Sequence, residues 1–494
     1  MLKVANTLKK LEISYFGRYG HTDETRQQGY ADNYIFMEER SDSTPLNPFK
    51  SIITIISTCH QLEYLRYVNP YSFERFSSFP LSSSSSLSVI STITNNNSSS
   101  CLSLKHLEIE VGDTKESYVE RILKQCPNLR ILRLKYRWDL DASILDSIQR
   151  YCPYLEYLSF DSNQDPMYGK KLYDWYYSKG SKDRNNSHST TATKLTSPMR
   201  SPPQPGLKTL YIGIQRTSHV VPLLKRYCDT IEELGLSFKR GSQVDFSFIQ
   251  PMKQLVTLLI TYTGHSRVPA TVISNAPSLQ NLELYETCLR GTELIDTLKG
   301  LNTLEKLKIH NKPAQKDDMN EEYFLYAYIA KYLMVDVFNT YAEASMFATT
   351  GTSSKGREKD AGDRDLSQRR RHGRGGLTHV SLSGCASLQD SVLEALGNIK
   401  TLSHVFIECA PLVTTKGINA FCEQLNQLPQ LLSIGLSDVP CVDDSTLSIF
   451  GLSSTVTTSR HDVTRIITLR SLGNVTKEGL NQLTKKQGIS VILR

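Results

Sequence analysis

Cysteine and histidine are the residues of this chain with the most versatile chemistry, because thiolates and imidazoles serve as nucleophiles, bases and metal ligands. The ten cysteines contain no C-x-x-C pair, and the eleven histidines contain no H-x-H or H-x-x-x-H pair. Five cysteines instead share one spacing, each preceding a Leu or Ile by three residues: Cys59, Cys101, Cys126, Cys152 and Cys228. This regularity indicates a repeated structural position filled by reduced, buried thiols, rather than a metal site.

Other signatures of catalysis are also absent from the sequence. It contains no G-x-S-x-G, no H-E-x-x-H, no G-x-x-x-x-G-K-[ST], and no G-x-G-x-x-G between a predicted strand and a predicted helix. The acidic pairs Asp317–Asp318 and Glu321–Glu322 precede a predicted helix and suit the positive end of its dipole. The sequence therefore predicts a protein that is not an enzyme and that uses no metal or cofactor.

A repeated L-x-x-L-x-L pattern organises the chain, with Ile, Val, Phe or Tyr replacing some leucines. Thirteen copies occur, with first residues at Leu8, Leu62, Leu104, Leu129, Leu155, Leu207, Ile231, Leu255, Leu279, Leu304, Leu377, Leu402 and Leu431. Where nothing is inserted, successive copies lie 24 to 26 residues apart and once 29 apart, which is typical of leucine-rich repeats.

The pattern predicts an α/β fold. The last two apolar positions alternate along a short strand and point inward, and helical segments return the chain to the next strand. One unit cannot bury its own apolar face, so we expect the repeats to stack as a single leucine-rich-repeat solenoid over residues 1–494. The expected shape is a curved horseshoe, with parallel strands on its concave face and helices on its convex face.

Several junctions carry a further signal. Cys126-Pro127-Asn128-Leu129 and Cys152-Pro153-Tyr154-Leu155 share a cysteine-proline-any-leucine order, and Val413-Thr-Thr-Lys-Gly417-Ile418 follows a strand ending in Ile407-Glu-Cys409. In these units the chain resembles the cysteine-containing repeats of F-box/leucine-rich-repeat proteins. The resemblance implies substrate recognition for an SCF-type ubiquitin ligase, with a Skp1-like adaptor and a cullin as partners. No recognisable F-box precedes the repeat at Leu8.

Four intervals exceed the repeat period and are predicted to be disordered loop insertions: 17–50, the serine-rich 68–100, the basic Ser/Pro-rich 163–205, and the basic Gly/Arg-rich 338–376. Ser197 and Ser201, each followed by proline, are candidates for proline-directed phosphorylation. Two degraded repeat copies are also predicted, Thr464/Ile467/Leu469 and a hidden strand at Tyr332/Val335/Val337. The alternative for Tyr323 to Val337 is an amphipathic helix.

The net charge of +7 is confined to two segments. Residues 178–206 hold five basic residues and one acidic one, and residues 355–374 hold eight basic and four acidic ones, so the rest of the chain is nearly neutral. Four arginines in the second segment form a candidate nuclear-import run: Arg369, Arg370, Arg371 and Arg374. Solvated loop and nucleic-acid contact are its alternative interpretations, and the absence of interleaved aromatic residues disfavours nucleic acid.

No uncharged apolar run reaches the roughly 18 residues needed to span a membrane. The first residues, which include Lys3, Lys9 and Lys10, lack the apolar stretch of a signal peptide. We therefore expect no membrane partner and a cytoplasmic or nuclear location.

The outward positions of the predicted strands carry mixed charge, which favours a protein ligand over a nucleic-acid backbone. Seven of them are candidate protein-binding residues: Arg133, Lys135, Tyr211, Tyr285, Lys306, Lys308 and Phe406. For each, the alternative is an ordinary exposed side chain.

The sequence thus predicts a noncatalytic protein-interaction solenoid, with substrate recognition for an SCF-type ligase as the leading hypothesis. A stand-alone binding scaffold or inhibitor that lacks ubiquitin machinery is one alternative. The other is a nuclear or nucleic-acid-associated protein that acts through the basic loop.

Overall fold

The computed structural model describes the repeats and leaves out most of the segments between them. The described residues are 7–14, 34–36, 48–69, 101–111, 116–136, 142–162, 206–214, 217–238, 249–262, 267–285, 292–311, 334–346, 376–385, 388–450, 465–486 and 489–493. They form two compact units, Met1–Ile231 (unit 1) and Glu232–Arg494 (unit 2).

Unit 1 alternates strands and helices. Its strands are β1 (Lys10–Ser14), β2 (Tyr34–Phe36), β3 (Tyr64–Asn69), β4 (His106–Val111), β5 (Ile131–Tyr136), β6 (Tyr157–Ser162) and β7 (Thr209–Ile214). Its helices are α1 (Pro48–Thr58), α2 (Glu116–Gln125), α3 (Ala142–Tyr151) and α4 (Thr217–Tyr227). All its strand pairs are parallel, and they follow chain order except that β1 lies between β2 and β3.

Unit 2 has the same alternation. Its strands are β8 (Glu233–Phe238), β9 (Thr257–Tyr262), β10 (Asn281–Tyr285), β11 (Lys306–His310), β12 (His379–Ser383), β13 (His404–Glu408), β14 (Ser433–Ser437), β15 (Arg465–Arg470) and β16 (Ile489–Leu493). Its helices include α5 (Arg267–Ser274), α6 (Thr292–Lys299), α7 (Asp390–Gly397), α8 (Thr415–Asn426), α9 (Asp444–Ile449) and α10 (Lys477–Thr484). Neighbouring strands pair in parallel and in chain order.

The repeat pattern explains this register. Each central Leu of one repeat pairs with the equivalent residue of the next, as Leu107 does with Leu132 and Leu282 does with Leu307. These inward side chains are fully buried, and the apolar faces of the helices cover them, as Ile122 and Leu123 do in α2. Stacked repeats therefore share one continuous core in each unit, and the predicted α/β leucine-rich-repeat solenoid is confirmed.

A helix over residues 334–346 replaces the hidden strand that the sequence predicted at Val335 and Val337. That strand assignment is wrong, because Val337, Phe338 and Tyr341 are buried on one helical face. The Tyr341 hydroxyl donates to the carbonyl of Leu298 at 2.8 Å, and the backbone N–H of Lys400 donates to Ser345 Oγ at 3.0 Å. The helix thus belongs to the repeat between β11 and β12.

Three predicted insertions contain described elements. The interval 17–50 includes β2 and the start of α1, 68–100 begins within β3, and 338–376 begins inside the helix just described. Apart from residue 376, the remainder of these intervals lies outside the described residues, as does the whole of 163–205. The degraded copy at Ile467 and Leu469 is a true strand, β15, whereas β2 and β16 lack the repeat pattern and were not predicted.

The repeated cysteines occupy the junction between helix and strand. The Cys101 thiol donates to the carbonyl of Cys59 at 3.6 Å, and the Cys152 thiol donates to the carbonyl of Cys126 at 3.9 Å. Burial raises the pKa of the Cys152 thiol to about 12. All five repeated cysteines are buried and form no disulfide, as predicted, and the thiols of Cys101 and Cys152 link consecutive repeats by weak hydrogen bonds.

No helix among the described residues combines the length and apolar character that a membrane crossing requires.

Candidate functional site

The outward face of the strands, opposite the buried core, is where the sequence placed its candidate binding residues. In unit 1 this face carries an alternating row of charges at one register position: Glu12, Arg66, Glu108 and Arg133. Arg66 Nε lies 3.4 Å from Glu108 Oε1, and Arg133 Nη1 lies 3.4 Å from Glu108 Oε2. Glu108 is therefore shared between two guanidinium groups, and the row neutralises itself.

The three unit 1 candidates are engaged by their neighbours. Arg133 also lies over the ring of Tyr157, at 5.2 Å from its centroid. Lys135 Nζ pairs with Glu110 Oε1 at 2.7 Å. Tyr211 is only 5% exposed, and its ring packs beside that of Tyr157 at 6.0 Å. The predicted exposure of Tyr211 is therefore wrong, since this side chain is buried with the ring of Tyr157 on β6 beside it.

In unit 2, the Glu283 carboxylate binds two of the remaining candidates, Lys308 and Tyr285. Its side chain is 7% exposed, and its carboxylate receives Lys308 Nζ at 2.6 Å and the Tyr285 hydroxyl at 3.0 Å. The ring of Tyr285 stacks on His310, with centroids 4.9 Å apart. Burial and the Glu283 carboxylate raise the pKa of the Tyr285 hydroxyl, so this tyrosine stays neutral and acts as a donor.

Lys306 and Phe406 remain the most available candidates. Lys306 is exposed and forms no ion pair with another described residue. Phe406 is half-buried, and its ring lies over the neighbouring strand at Gly435, where an added Cβ would come within 2.2 Å of Phe406 Cδ2. The absence of a side chain at residue 435 thus makes the space that the ring occupies.

A stacked pair of histidines lies between the strand of Lys306 and that of Ser433, on the same outward face. His379 and His404 occupy equivalent positions on β12 and β13, and their rings stack with centroids 4.0 Å apart and planes 8° apart. Burial, the neighbouring His404 and the lysines at 306 and 308 lower the pKa of His379 to about 4. Both rings are therefore neutral near pH 7. Their 25-residue spacing, equal to one repeat, is the signal that could have paired them.

Hydroxyl groups hold the Nδ1 edge of both imidazoles. Thr378 Oγ1 lies 3.0 Å from the carbonyl oxygen of Glu305 and 2.7 Å from His379 Nδ1. Ser403 Oγ lies 3.1 Å from the carbonyl oxygen of Thr378 and 2.8 Å from His404 Nδ1. Each Nδ1 is therefore hydrogen-bonded within the protein, and the tautomer of each ring sets which of the two atoms donates.

Residues that follow consecutive strands of unit 2 adopt positive φ angles: Gly384, Cys409, Asp438 and Ser471. In three of them the backbone N–H extends the hydrogen bonding of the parallel strands by one residue. For example, the N–H of Cys409 donates to the carbonyl of Ser437 at 3.0 Å. This turn brings Glu408, Cys409 and Asp438 together, with potential ligand atoms within 4.8 Å of one another. Ser383 Oγ already donates to the Glu408 carboxylate at 2.7 Å, and burial raises the pKa of the Cys409 thiol.

The candidate nuclear-import arginines, Arg369, Arg370, Arg371 and Arg374, lie outside the described residues.

No protein-family model matches the chain, and no curated protein sequence matches it. Among solved structures the chain is similar to the crystal structure of the yeast Rad7–Elc1 complex, with a TM-score of 0.42, 14% identity, and coverage of 90% of this chain and 78% of that one. It is also similar to the TLR13–ssRNA13 complex, with a TM-score of 0.30, 11% identity, and coverage of 89% of this chain. This chain spans 57% of that second chain.

Proposed function

We propose that this protein is a noncatalytic, protein-binding solenoid that recognises substrates for an SCF-type ubiquitin ligase. The observation that carries the binding role is the outward face of unit 2. There, in-register strands bring an exposed lysine, a neutral histidine pair and an aromatic ring side by side. Such a mixture of cationic, polar and aromatic groups suits a protein surface.

The charges on the outward strands of each unit disfavour a nucleic-acid backbone as the ligand. A chain of phosphates binds best to a continuous row of unpaired cations. Arg66, Arg133, Lys135 and Lys308 are instead each paired with a carboxylate on an adjacent strand. A protein partner remains the better match to this surface.

The ubiquitin-ligase role is supported by the repeat units themselves. The cysteine-proline-any-leucine junctions at Cys126 and Cys152 and the segment ending in Gly417-Ile418 resemble F-box/leucine-rich-repeat proteins. Partners of the proposed receptor are therefore a Skp1-like adaptor and a cullin, in addition to the substrate.

Affinity purification of the tagged full chain, followed by mass spectrometry, tests both levels of the proposal. The wild type is compared with Lys306→Glu, which reverses a charge on the outward face, and with Lys416→Glu, which makes the same change on the exposed side of α8. We expect a reproducible substrate protein that Lys306→Glu loses and Lys416→Glu retains, together with the adaptor and cullin in all three samples.

The two levels fail separately. Recovery of a partner without adaptor or cullin would contradict the ligase role and leave a stand-alone scaffold. A partner set unchanged by Lys306→Glu would contradict binding at this face.

A further inference from the structure

We infer that the outward face of unit 2 binds an extended peptide segment that carries an acidic side chain at one end and a bulky apolar side chain about six residues away. This inference rests on the proposed protein-binding function and specifies the chemistry of the bound segment. It is carried by a row of residues at one register position on five adjacent strands, which are Lys306, His379, His404, Ser433 and Ile466.

The acidic end follows from the state of the two lysines on β11. The Lys308 ammonium is already held by Glu283, whereas Lys306 is exposed and has no ion-pair partner among the described residues. Glu283 is 6% exposed, and its carboxylate is already paired with the Lys308 ammonium. A carboxylate of the partner would complement Lys306 without meeting an unpaired carboxylate beside it.

The apolar end follows from side chains that unit 2 leaves in solvent on the same face. Ile466 on β15 is 39% exposed, and Ile492 on β16 is 37% exposed. The half-buried ring of Phe406 lies at the same register position as Ile492, with Gly435 and Thr468 on the two strands between them. Burial of such groups by a partner's Leu, Ile or Phe removes apolar area from water at roughly 25 cal/mol per Å².

The middle of the row suits a peptide backbone. The His379 and His404 rings form a flat stack whose Nδ1 atoms are already hydrogen-bonded to Thr378 and Ser403. The N–H and C=O groups of an extended backbone can meet the Nε2 atom of a neutral imidazole in either tautomer. These contacts would hold a backbone of any sequence and leave selectivity to the two ends.

The spacing sets the length of the segment. Lys306 and Ile466 are separated by four strand intervals of about 4.8 Å, or about 19 Å in all. An extended chain advances about 3.3 Å per residue, so about six residues connect the two ends. Lys306 is the one cation among the five residues of the row, so a nucleic-acid backbone would make a single charge contact along it, which is why a peptide is the occupant.

Selection from a displayed library of random twelve-residue peptides on the full chain tests this inference. We expect enriched peptides to carry Asp or Glu about six positions from Leu, Ile or Phe. Fluorescence anisotropy of one enriched peptide should then show about tenfold weaker binding to Lys306→Glu and to Ile466→Ser, with Lys416→Glu within about twofold of the wild type. Residues 306 and 466 are both exposed, so neither change should unfold the chain.

Matched peptides separate the two ends. Replacing the acidic residue by its amide should weaken binding to the wild type but strengthen binding to Lys306→Glu, where it removes a repulsion between like charges. Replacing the apolar residue by Ala should weaken binding to the wild type and leave binding to Ile466→Ser unaffected. Selection that yields no peptides, or peptides without this spacing, overturns the inference. If partner capture by the tagged chain still depends on Lys306, that result leaves the proposed function standing.

Discussion

At the scale of single residues, buried carboxylates determine which outward side chains are available. Glu108 is 9% exposed and is shared by Arg66 and Arg133, and Glu283 is 6% exposed and is shared by Lys308 and Tyr285. Desolvated charges of this kind are tolerated because each has partners on neighbouring strands. Cations that look free in the sequence are therefore structural pairs.

The change Glu108→Gln should destabilise the protein by about 1–3 kcal/mol, because it leaves two largely buried guanidinium groups without their shared carboxylate. Urea denaturation followed by circular dichroism measures this loss. Glu63→Gln is the matched control, since Glu63 pairs with Lys9 and Lys105 through exposed side chains at 3.9 and 3.8 Å. The control should change the free energy of unfolding by less than about 0.5 kcal/mol, and equal losses in both variants would contradict this account.

The stacked histidines predict a pH dependence of stability. The pKa of His379 is lowered to about 4, and that of His404 is also lowered, from the usual 6.5. Between pH 6.5 and about 4 the unfolded chain therefore binds more protons than the folded one, so stability falls as the pH falls through this window. In His379→Gln/His404→Gln the decrease in melting temperature from pH 7.0 to 4.5 should be smaller than in the wild type.

His60→Gln serves as the control for that measurement, because His60 lies in an exposed turn. It should retain the wild-type decrease. A double variant that loses as much stability as the wild type over this range would show that the pair titrates normally.

At the scale of elements, consecutive helices of unit 2 are joined by a repeated cap. Thr414 Oγ1 accepts from the N–H of Gly417, and the Asp390 carboxylate of the preceding helix accepts from the Thr414 hydroxyl at 2.6 Å. The same contacts recur two caps later, at the start of α10, with Thr476, Gly479 and Asp444 of the preceding helix α9. In each T-x-x-G segment the threonine thus caps its own helix and also hydrogen-bonds to an aspartate of the helix before it.

The glycine of this cap leaves room for the carboxylate. A Cβ at residue 417 would lie 2.1 Å from Asp390 Cγ, so Gly417→Ala should displace Asp390 and destabilise unit 2 by about 1–3 kcal/mol. Helix propensity alone predicts the opposite sign, a gain of about 1 kcal/mol. Thermal unfolding of the variant distinguishes the two.

Gly473→Ala is the matched change at a site with no atom within 4 Å of an added Cβ. It should alter the free energy of unfolding by less than about 0.5 kcal/mol. A stabilised Gly417→Ala would mean that the Asp390 contact contributes little.

At the scale of the whole molecule, stacking protects the thiols of both units. Among the nine described cysteines, seven are buried, and only Cys409 and Cys441 are partly exposed. Burial raises the pKa of Cys441 to about 11 and that of Cys385 to about 12. Thiolates, the reactive form, are therefore scarce at neutral pH at Cys385 and Cys441.

Iodoacetamide labelling at pH 8, read by peptide mass spectrometry, should modify Cys409 and Cys441 slowly in the native protein. The seven buried cysteines should be modified only in urea. Labelling of the unfolded chain is the control, because it shows that every one of these thiols reacts once it is exposed. Native labelling of Cys126 or Cys152 at the rate of Cys409 would contradict the burial of the junction cysteines.

The fold was predictable from the sequence because each leucine-rich repeat carries its own structural signal within about 25 residues. The L-x-x-L-x-L pattern predicts a strand, and its period predicts the helical segment that leads to the next strand. Similar units then stack on one another. Where the pattern is missing the prediction was incomplete, as at β2 and β16. The strand predicted at Val335 and Val337 was wrong, because short apolar runs can fit the spacing of either a helix or a strand.

The sequence alone determined the repeat class, the inward core and the buried role of the junction cysteines, since these depend on periodicity along the chain. Only the tertiary structure decided how the outward side chains are used, because their neighbours lie one repeat away and not nearby in sequence. Register pairs Arg133 with Glu108 and Lys308 with Glu283, buries Tyr211, and stacks His379 on His404. Those lateral contacts leave Lys306 exposed, and no periodicity along the chain specifies them.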